Sequence, residues 1–216
     1  MRQLLSWLMR LVRILILYLL LVRLIRHFYK FPIPEFMTGL IDNPMRRRIQ
    51  PPDDLARRHG IQPGMKVLDV GPGNGTYTLA AARLAGPLGS VTAVDISPGV
   101  IERVKKRACE AGISNIDARL ADVYNLPFED GSFDLVYLIT VLGEIPDPDR
   151  ALLQLQRVLA PGGKLAISEL LLDPDYPLAE TSIRRAEAAG FRLKWKTGNF
   201  LAYTLVFEKE PGYKPA

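Results

Sequence analysis

The spacing of apolar and polar positions divides the chain into three stretches. From Leu4 to Ile25 nearly every position is apolar and, Ser6 apart, the interruptions are arginines. From Lys30 to Pro52 the apolar residues are large and scattered among prolines. From about residue 53 onward, short apolar runs alternate with stretches whose apolar positions recur every three or four residues, the signature of strands exchanging with amphipathic helices.

In that third stretch the runs predict strands at Lys66 to Val70, Ser90 to Asp95, Ile116 to Leu120, Phe133 to Ile139, Lys164 to Glu169, Phe191 to Thr197 and Leu201 to Lys209. Helices are expected near Asp53 to His59, Thr76 to Ala85, Val100 to Ala111, Arg150 to Leu159 and Leu178 to Ala189. Apolar strands alternating with helices of this length imply a mostly parallel sheet covered on both faces. The last two strands are joined through Gly198 and Asn199 with no helix between them, which predicts an antiparallel hairpin. The fold class is therefore α/β: a Rossmann-like, doubly wound, mostly parallel seven-stranded sheet with a C-terminal antiparallel hairpin, plus an N-terminal apolar helix. The chain divides into an arm (1–30), a connector or lid (31–52) with a short helix expected around Phe36 to Ile41, a globular domain (53–210) and a tail (211–216).

Charge refines the reading of the arm. The formal net charge is +5, but residues 1–34 hold six bases and no acid, leaving 22 bases against 23 acids beyond them. A nucleic-acid surface needs a basic face on the domain itself. Here the bias sits in the arm and in Arg46, Arg47, Arg48, Arg57 and Arg58, which favours an anionic membrane surface and argues against nucleic acid. The longest uncharged run in the arm, Ile14 to Val22, has nine residues, well short of the about 20 that cross a bilayer core. On a helical projection Arg2, Arg10, Arg13, Arg23 and Arg26 share one arc, leaving Leu4, Trp7, Leu11, Ile14, Leu15, Tyr18, Leu21 and Val22 on a charge-free face. That pattern suits a helix lying in the membrane interface; a spanning helix and a helix for self-association remain open. A cleavable leader is disfavoured by arginines on both sides of the apolar run and by the lack of a small-residue cleavage site. The expected placement is membrane-associated with the domain facing the cytosol.

A single cysteine, Cys109, excludes an internal disulfide, and with only His27 and His59 no metal cluster is expected. Cys109, inside a predicted helix, reads as a packing residue.

Candidate chemistry gathers at the strand ends. The first strand runs into VLDVGPGNGTYT, with Asp69 followed by Gly71, Gly73 and Gly75. Glycines there let the backbone turn sharply and approach a ligand at the start of a helix. A dinucleotide turn would need glycine at position 76, which is threonine. The spacing resembles instead motif I of class I S-adenosylmethionine (SAM) dependent methyltransferases, and the resemblance extends along the chain. VTAVDIS places Asp95 at the end of the second strand, LADVYNLPFEDGSFD places Asp122 after the third, and RVLAPGGKLAISE matches the family's helix, turn and fifth strand.

The resemblance covers about Met65 to Glu169 and implies SAM as cofactor. It implies that Gly71, Gly73 and Gly75 line the methionine moiety with Asp69 supporting their loop. Asp95 would bind the ribose, Ile96 and Val123 would sandwich the adenine, Asp122 would fix its edge, and Ile139 and Thr140 would lie beneath the sulfonium. Enzymes that methylate amide or nucleobase nitrogens often carry an Asn/Asp-Pro-Pro-Tyr/Phe turn after strand four, whereas this chain has ITVLGEIPDP. The segment is closer to small-molecule and lipid methyltransferases of quinone and phospholipid pathways, in which histidines commonly stand at the positions of Gly143 and Glu144.

No general base is evident. Glu144, Tyr77, Tyr203 and His27 are weak catalytic candidates, with Tyr124 and Asn199 also near the expected site; packing or surface roles compete for each. The domain leaves little room for a large substrate-binding insert, so the acceptor site is expected to draw on the arm. This points to a lipophilic small-molecule or lipid acceptor. A SAM-binding sensor or scaffold without turnover, and methylation of a membrane-proximal protein, are the alternatives.

Overall fold

The computed structural model describes residues 43–212 and ten positions between Ser6 and Leu24. Those ten are helical and, apart from Ser6 and Val22, exposed; they include Trp7, Ile14, Leu17 and Leu21. The rest of the arm, His27 and the short helix expected over Phe36 to Ile41 lie outside the described residues. Among the described residues no helix is long and apolar enough to cross a membrane.

Two short helices precede the sheet, α1 (Pro44–Ile49) and α2 (Pro52–His59). The pattern of alternating strands and helices then follows: β1 (Lys66–Val70), α3 (Thr76–Ala85), β2 (Ser90–Asp95), α4 (Pro98–Glu110), β3 (Ile116–Leu120), β4 (Phe133–Ile139), α5 (Pro148–Val158), β5 (Leu159–Leu170), α6 (Ala179–Ala188), β6 (Phe191–Gly198) and β7 (Ala202–Lys209). The seven strands lie in the order β3-β2-β1-β4-β5-β7-β6. Pairing is parallel from β3 through β5, and β7 runs antiparallel to both β5 and β6. This is the expected doubly wound sheet with its terminal hairpin.

Strand periodicity decides which helix covers which face, because successive side chains point to opposite sides. Leu68, Val136, Leu138, Leu165 and Ile167 pack against Leu152 and Leu155 of α5 and Ala186 of α6. Their neighbours Val67, Val91, Leu135, Tyr137 and Ala166 pack against Leu55 of α2 and Ala81, Ala82 and Ala85 of α3. Ala93 and Ala118 meet Ile101 and Val104 of α4. With both faces covered, the central strands are apolar at almost every position.

Local chemistry explains the element ends. Asn43 caps α1 by accepting the Arg46 N–H at 3.0 Å, and Ser97 caps α4 by accepting from Val100 at 3.2 Å. Proline sits in the first turn of α1, α2, α4 and α5, where its missing N–H costs nothing. Three expectations change. The connector contains helix α1, which proline content had obscured. β5 starts at Leu159, paired with Phe133 across a register irregularity, so the Pro-Gly-Gly segment is part of the strand. Cys109 is exposed on α4 and is no packing residue.

Candidate functional site

Strand order reverses between β1 and β4, and ligands of open α/β sheets bind in the crevice beyond the carboxyl ends of strands at such a point. A cavity of about 250 Å³ lies there, lined by the ends of β1, β2 and β4, the turns that follow β1 to β4, and Arg46 of α1. Nine of the ten motif-derived residues line it: Asp69, Gly71, Gly73, Asp95, Ile96, Asp122, Val123, Ile139 and Thr140. Gly75 does not; it is the left-handed N-cap of α3, with Val104 close behind it.

The turn after β1 is shaped by backbone constraints. Gly71 has φ +73°, and a Cβ there would lie 2.6 Å from a Val141 methyl. Its N–H donates to Val94 O at 2.9 Å, tying the turn to β2. Behind the turn, Asp69 accepts the Thr78 hydroxyl at 2.6 Å. Burial raises the Asp69 carboxyl to about 7, against the pull of that hydrogen bond.

At the ends of β2 and β3 two carboxylates face the same space. Asp95 accepts the Ser97 N–H at 2.8 Å and Asp122 accepts the Tyr124 N–H at 2.9 Å, which fixes both side chains. Beside them Ile96 is 55% exposed, an open apolar face at the cavity mouth. Glycine-shaped backbone at one end, carboxylates suited to hydroxyl and amino donors at the other, and apolar side chains between fit the zwitterionic, ribose and adenine parts of SAM.

The far wall has a different construction. Thr140, just after β4, has φ +55° and is the one non-glycine residue with positive φ among the described residues. A β-branched residue there is strained, and such strain is kept where surrounding contacts over-determine it. Two contacts do so: Thr140 N–H donates to Ser168 O at 2.8 Å, and Arg46 Nη2 donates to Thr140 Oγ1 at 2.6 Å. Arg46 is buried, and its guanidinium carbon lies 5.8 Å from the Tyr77 ring centroid. The assignment of Arg46 to a membrane-facing basic patch is thereby corrected; Arg47 and Arg48 are exposed.

Gln50, also buried, donates to Glu169 O at 3.3 Å, and Tyr77 Oη donates to Gln50 O at 3.2 Å. Glu169 is held well above the usual carboxylate range by burial and by the Asp173 and Glu144 carboxylates, against the pull of Arg46. Nearby, His59 contacts Ser168 Oγ at 2.8 Å, and burial lowers its imidazole to about 3.

The weak candidates separate by position. Tyr77, Tyr124 and Glu144 line the cavity. Tyr124 Oη accepts the Asp147 N–H at 2.8 Å, pinning one loop to the next. Tyr203 is buried away from the cavity, donating to Pro177 O at 2.8 Å, and Asn199 accepts the Leu201 N–H in the hairpin turn. Neither lines the cavity. Glu144 groups with Asp173 and Asp175, carboxylate oxygens within 4.8 Å of one another, a cluster that counting histidine and cysteine alone did not anticipate. A Cβ at Gly143 would lie 1.9 Å from Asp175 O, so a side chain such as histidine is sterically barred there.

Comparison with known proteins agrees with this geometry. A family described as Methyltransferase domain matches residues 61–194. Ubiquinone/menaquinone biosynthesis C-methyltransferase UbiE of Psychromonas ingrahamii is 34% identical over 144 residues, 66% of this chain and 56% of that protein. Demethylmenaquinone methyltransferase of Staphylococcus aureus is 39% identical over 110 residues, 51% of this chain and 45% of that protein. The chain thus spans about half the length of the curated relatives it matches. A SAM-dependent methyltransferase from Aquifex aeolicus shares the fold with a TM-score of 0.77 at 21% identity, covering 82% of this chain and 99% of that one.

Proposed function

This chain belongs to the class I SAM-dependent methyltransferase family, and from that premise we propose that it transfers a methyl group to a lipophilic, quinone-type small molecule or lipid at a membrane surface. The observation that carries the reading is the cavity at the switch point of the sheet, lined by the motif residues and by an arginine from outside the motif. The quinone-pathway relatives support the acceptor class.

SAM, when bound, supplies an electrophilic methyl on a sulfonium. The residues of this chain have the tasks of holding, aligning and excluding water, which is where catalysis of an in-line displacement resides. The turn at Gly71 and Gly73 receives the methionine end, with Asp69 beneath it. Asp95 accepts from the ribose hydroxyls and Asp122 from the adenine amino group, while Ile96 and Val123 flank the ring. Ile139 and Thr140 form the floor toward the acceptor.

The arm completes the proposal. Its described apolar side chains, Val22 apart, are exposed, and the arginines among them suit anionic headgroups. The arm would hold the domain on the cytosolic leaflet, where a membrane-dissolved acceptor is at hand. Methyl-labelled SAM incubated with the protein and a total lipid extract tests this reading. Label in a quinone or lipid fraction is expected. Label only in protein would favour a membrane-proximal protein acceptor, and SAM binding without any transfer would favour a sensor or scaffold.

A further inference from the structure

Among the described residues five buried side-chain polar atoms lack a hydrogen-bond partner, and three of them belong to Arg46 (Nε), Gln50 (Oε1) and Glu169 (Oε1). The three residues form one cluster. Gln50 bonds the backbone of Arg46 through its own N–H at 2.8 Å and the backbone of Glu169 through its side chain at 3.3 Å. The Arg46 charge acts directly on Glu169. Of the three, Arg46 alone also lines the cavity, where one of its nitrogens is bonded to Thr140. Buried polar groups are normally paired, and an orphaned donor on a guanidinium, which stays ionised, is the costliest kind. Nε itself is closed off from solvent, but Arg46 stands in the cavity wall, where a ligand can meet its charge.

The charge balance indicates what kind of ligand. Burial raises the Glu169 carboxyl well above the usual carboxylate range, which disfavours the charged form that would cancel the guanidinium. Glu144, the other acid on this wall, is grouped with Asp173 and Asp175. The Tyr77 ring stands beside Arg46 and Thr140 accepts from one of its nitrogens, and a ligand in the cavity would face the same charge.

We propose that Arg46 anchors the acceptor by binding an anionic oxygen on it, of the phenolate or enolate type, with Gln50 and Glu169 as positioning residues. The inference rests on reading the cavity as a transferase site. An acceptor held as an oxygen anion is electron-rich at that oxygen and at the ring carbons ortho to it. No proton would then have to be removed as the new bond to the methyl forms and the S–CH3 bond breaks to leave S-adenosylhomocysteine; transfer to carbon would afterwards release the ring proton to water. This accounts for a site without an evident general base.

The test is equilibrium binding of two probes of near-identical shape to the full-length protein with SAM present. They are trichlorophenol, in mildly alkaline buffer where it is ionised, and its uncharged methyl ether, trichloroanisole. The wild type is expected to bind the anion at least about tenfold tighter than the ether, the scale of a charge-assisted hydrogen bond. Arg46→Gln should erase that preference while SAM affinity stays within about twofold, and Arg46→Lys should restore part of it, a point charge without the planar fork. Equal affinity for the two probes in the wild type, or a preference that survives in Arg46→Gln, overturns the proposal. The transferase reading fails separately: anion preference without methyl transfer to any extract would leave the anchor standing and remove the enzyme. Transfer without anion preference would do the reverse.

Discussion

The two ends of the cavity are built by different means. The cofactor end is made of residues close together in sequence: a glycine turn directly after β1, Asp95 at the end of β2, Asp122 just after β3. The acceptor end is made of long-range pairs, with Arg46 and Thr140 separated by 94 residues, His59 and Ser168 by 109, and Gln50 and Glu169 by 119. The first end uses backbone shape and carboxylates that reach the cavity from strand ends; the second uses buried, partly unsatisfied polar side chains. A common scaffold can therefore keep one end constant while the other is set by whatever segment packs in front of the sheet.

The sharpest way to break the cofactor end is at Gly71. Gly71→Val adds a β-branched side chain at φ +73° and drives it into Val141. Strain and overpacking together should cost about 4 kcal/mol of stability, read as a lowered urea midpoint, with SAM binding lost. A midpoint unchanged from wild type would show that the turn is not held as described.

Asp69 probes the same end through pH. Its folded-state pKa, raised by burial to about 7 from 3.8, makes the folded state bind more protons than the unfolded state between those values. Its contribution to stability is full below the unfolded value and is lost as pH rises through 7. Asp69→Asn, which keeps the acceptor for Thr78 but cannot ionise, should exceed wild type in stability by about 4 kcal/mol in alkaline buffer, the advantage shrinking as pH falls. Urea titrations across pH check this, and a difference that does not vary with pH would refute it.

How much of this was legible beforehand follows from the same contrast. The bounds of β1 to β4 can be read from apolar runs, and Asp69, Asp95 and Asp122 from their place at strand ends, because local sequence dictates both. Arg46 could not be placed this way. In sequence it is the first of three arginines after Pro44, and nothing local separates the buried one from its exposed neighbours. The weak signal was Asn43-Pro44, a helix cap followed by a first-turn proline, which would have placed α1 inside the proline-rich connector. Glu169 lay within a recognised motif, but its burial against Gln50 depends on a segment more than a hundred residues upstream. Tyr203 misled for the converse reason: a tyrosine next to a hairpin turn resembles a site residue until its hydroxyl is seen bonded to Pro177 and Ser182.

A gentler change sharpens the acceptor end. Tyr77→Phe removes the hydrogen bond to Gln50 O while leaving the ring beside Arg46. It should cost about 1 kcal/mol of stability, with SAM affinity within about twofold of wild type. A large loss of SAM affinity in this variant would mean that the two ends are not separable. The smallest effect on the domain should come from deleting residues 1–26, which carry five of the arginines. SAM affinity should be unchanged, while co-sedimentation with anionic vesicles, strongest at low salt, should disappear. A full-length protein that ignores vesicles but forms an oligomer dissolved by the truncation would replace the membrane role with self-association.

The most direct test of a cavity with two separable ends is the SAM dissociation constant of Asp95→Ala and Arg46→Gln, measured side by side by calorimetry. Asp95→Ala should bind SAM at least about tenfold more weakly, since a fixed carboxylate accepting hydroxyl hydrogen bonds is lost. Arg46→Gln should stay within about twofold of wild type. Near-wild-type SAM binding by a folded Asp95→Ala protein, or an equal loss in both variants, would contradict the account.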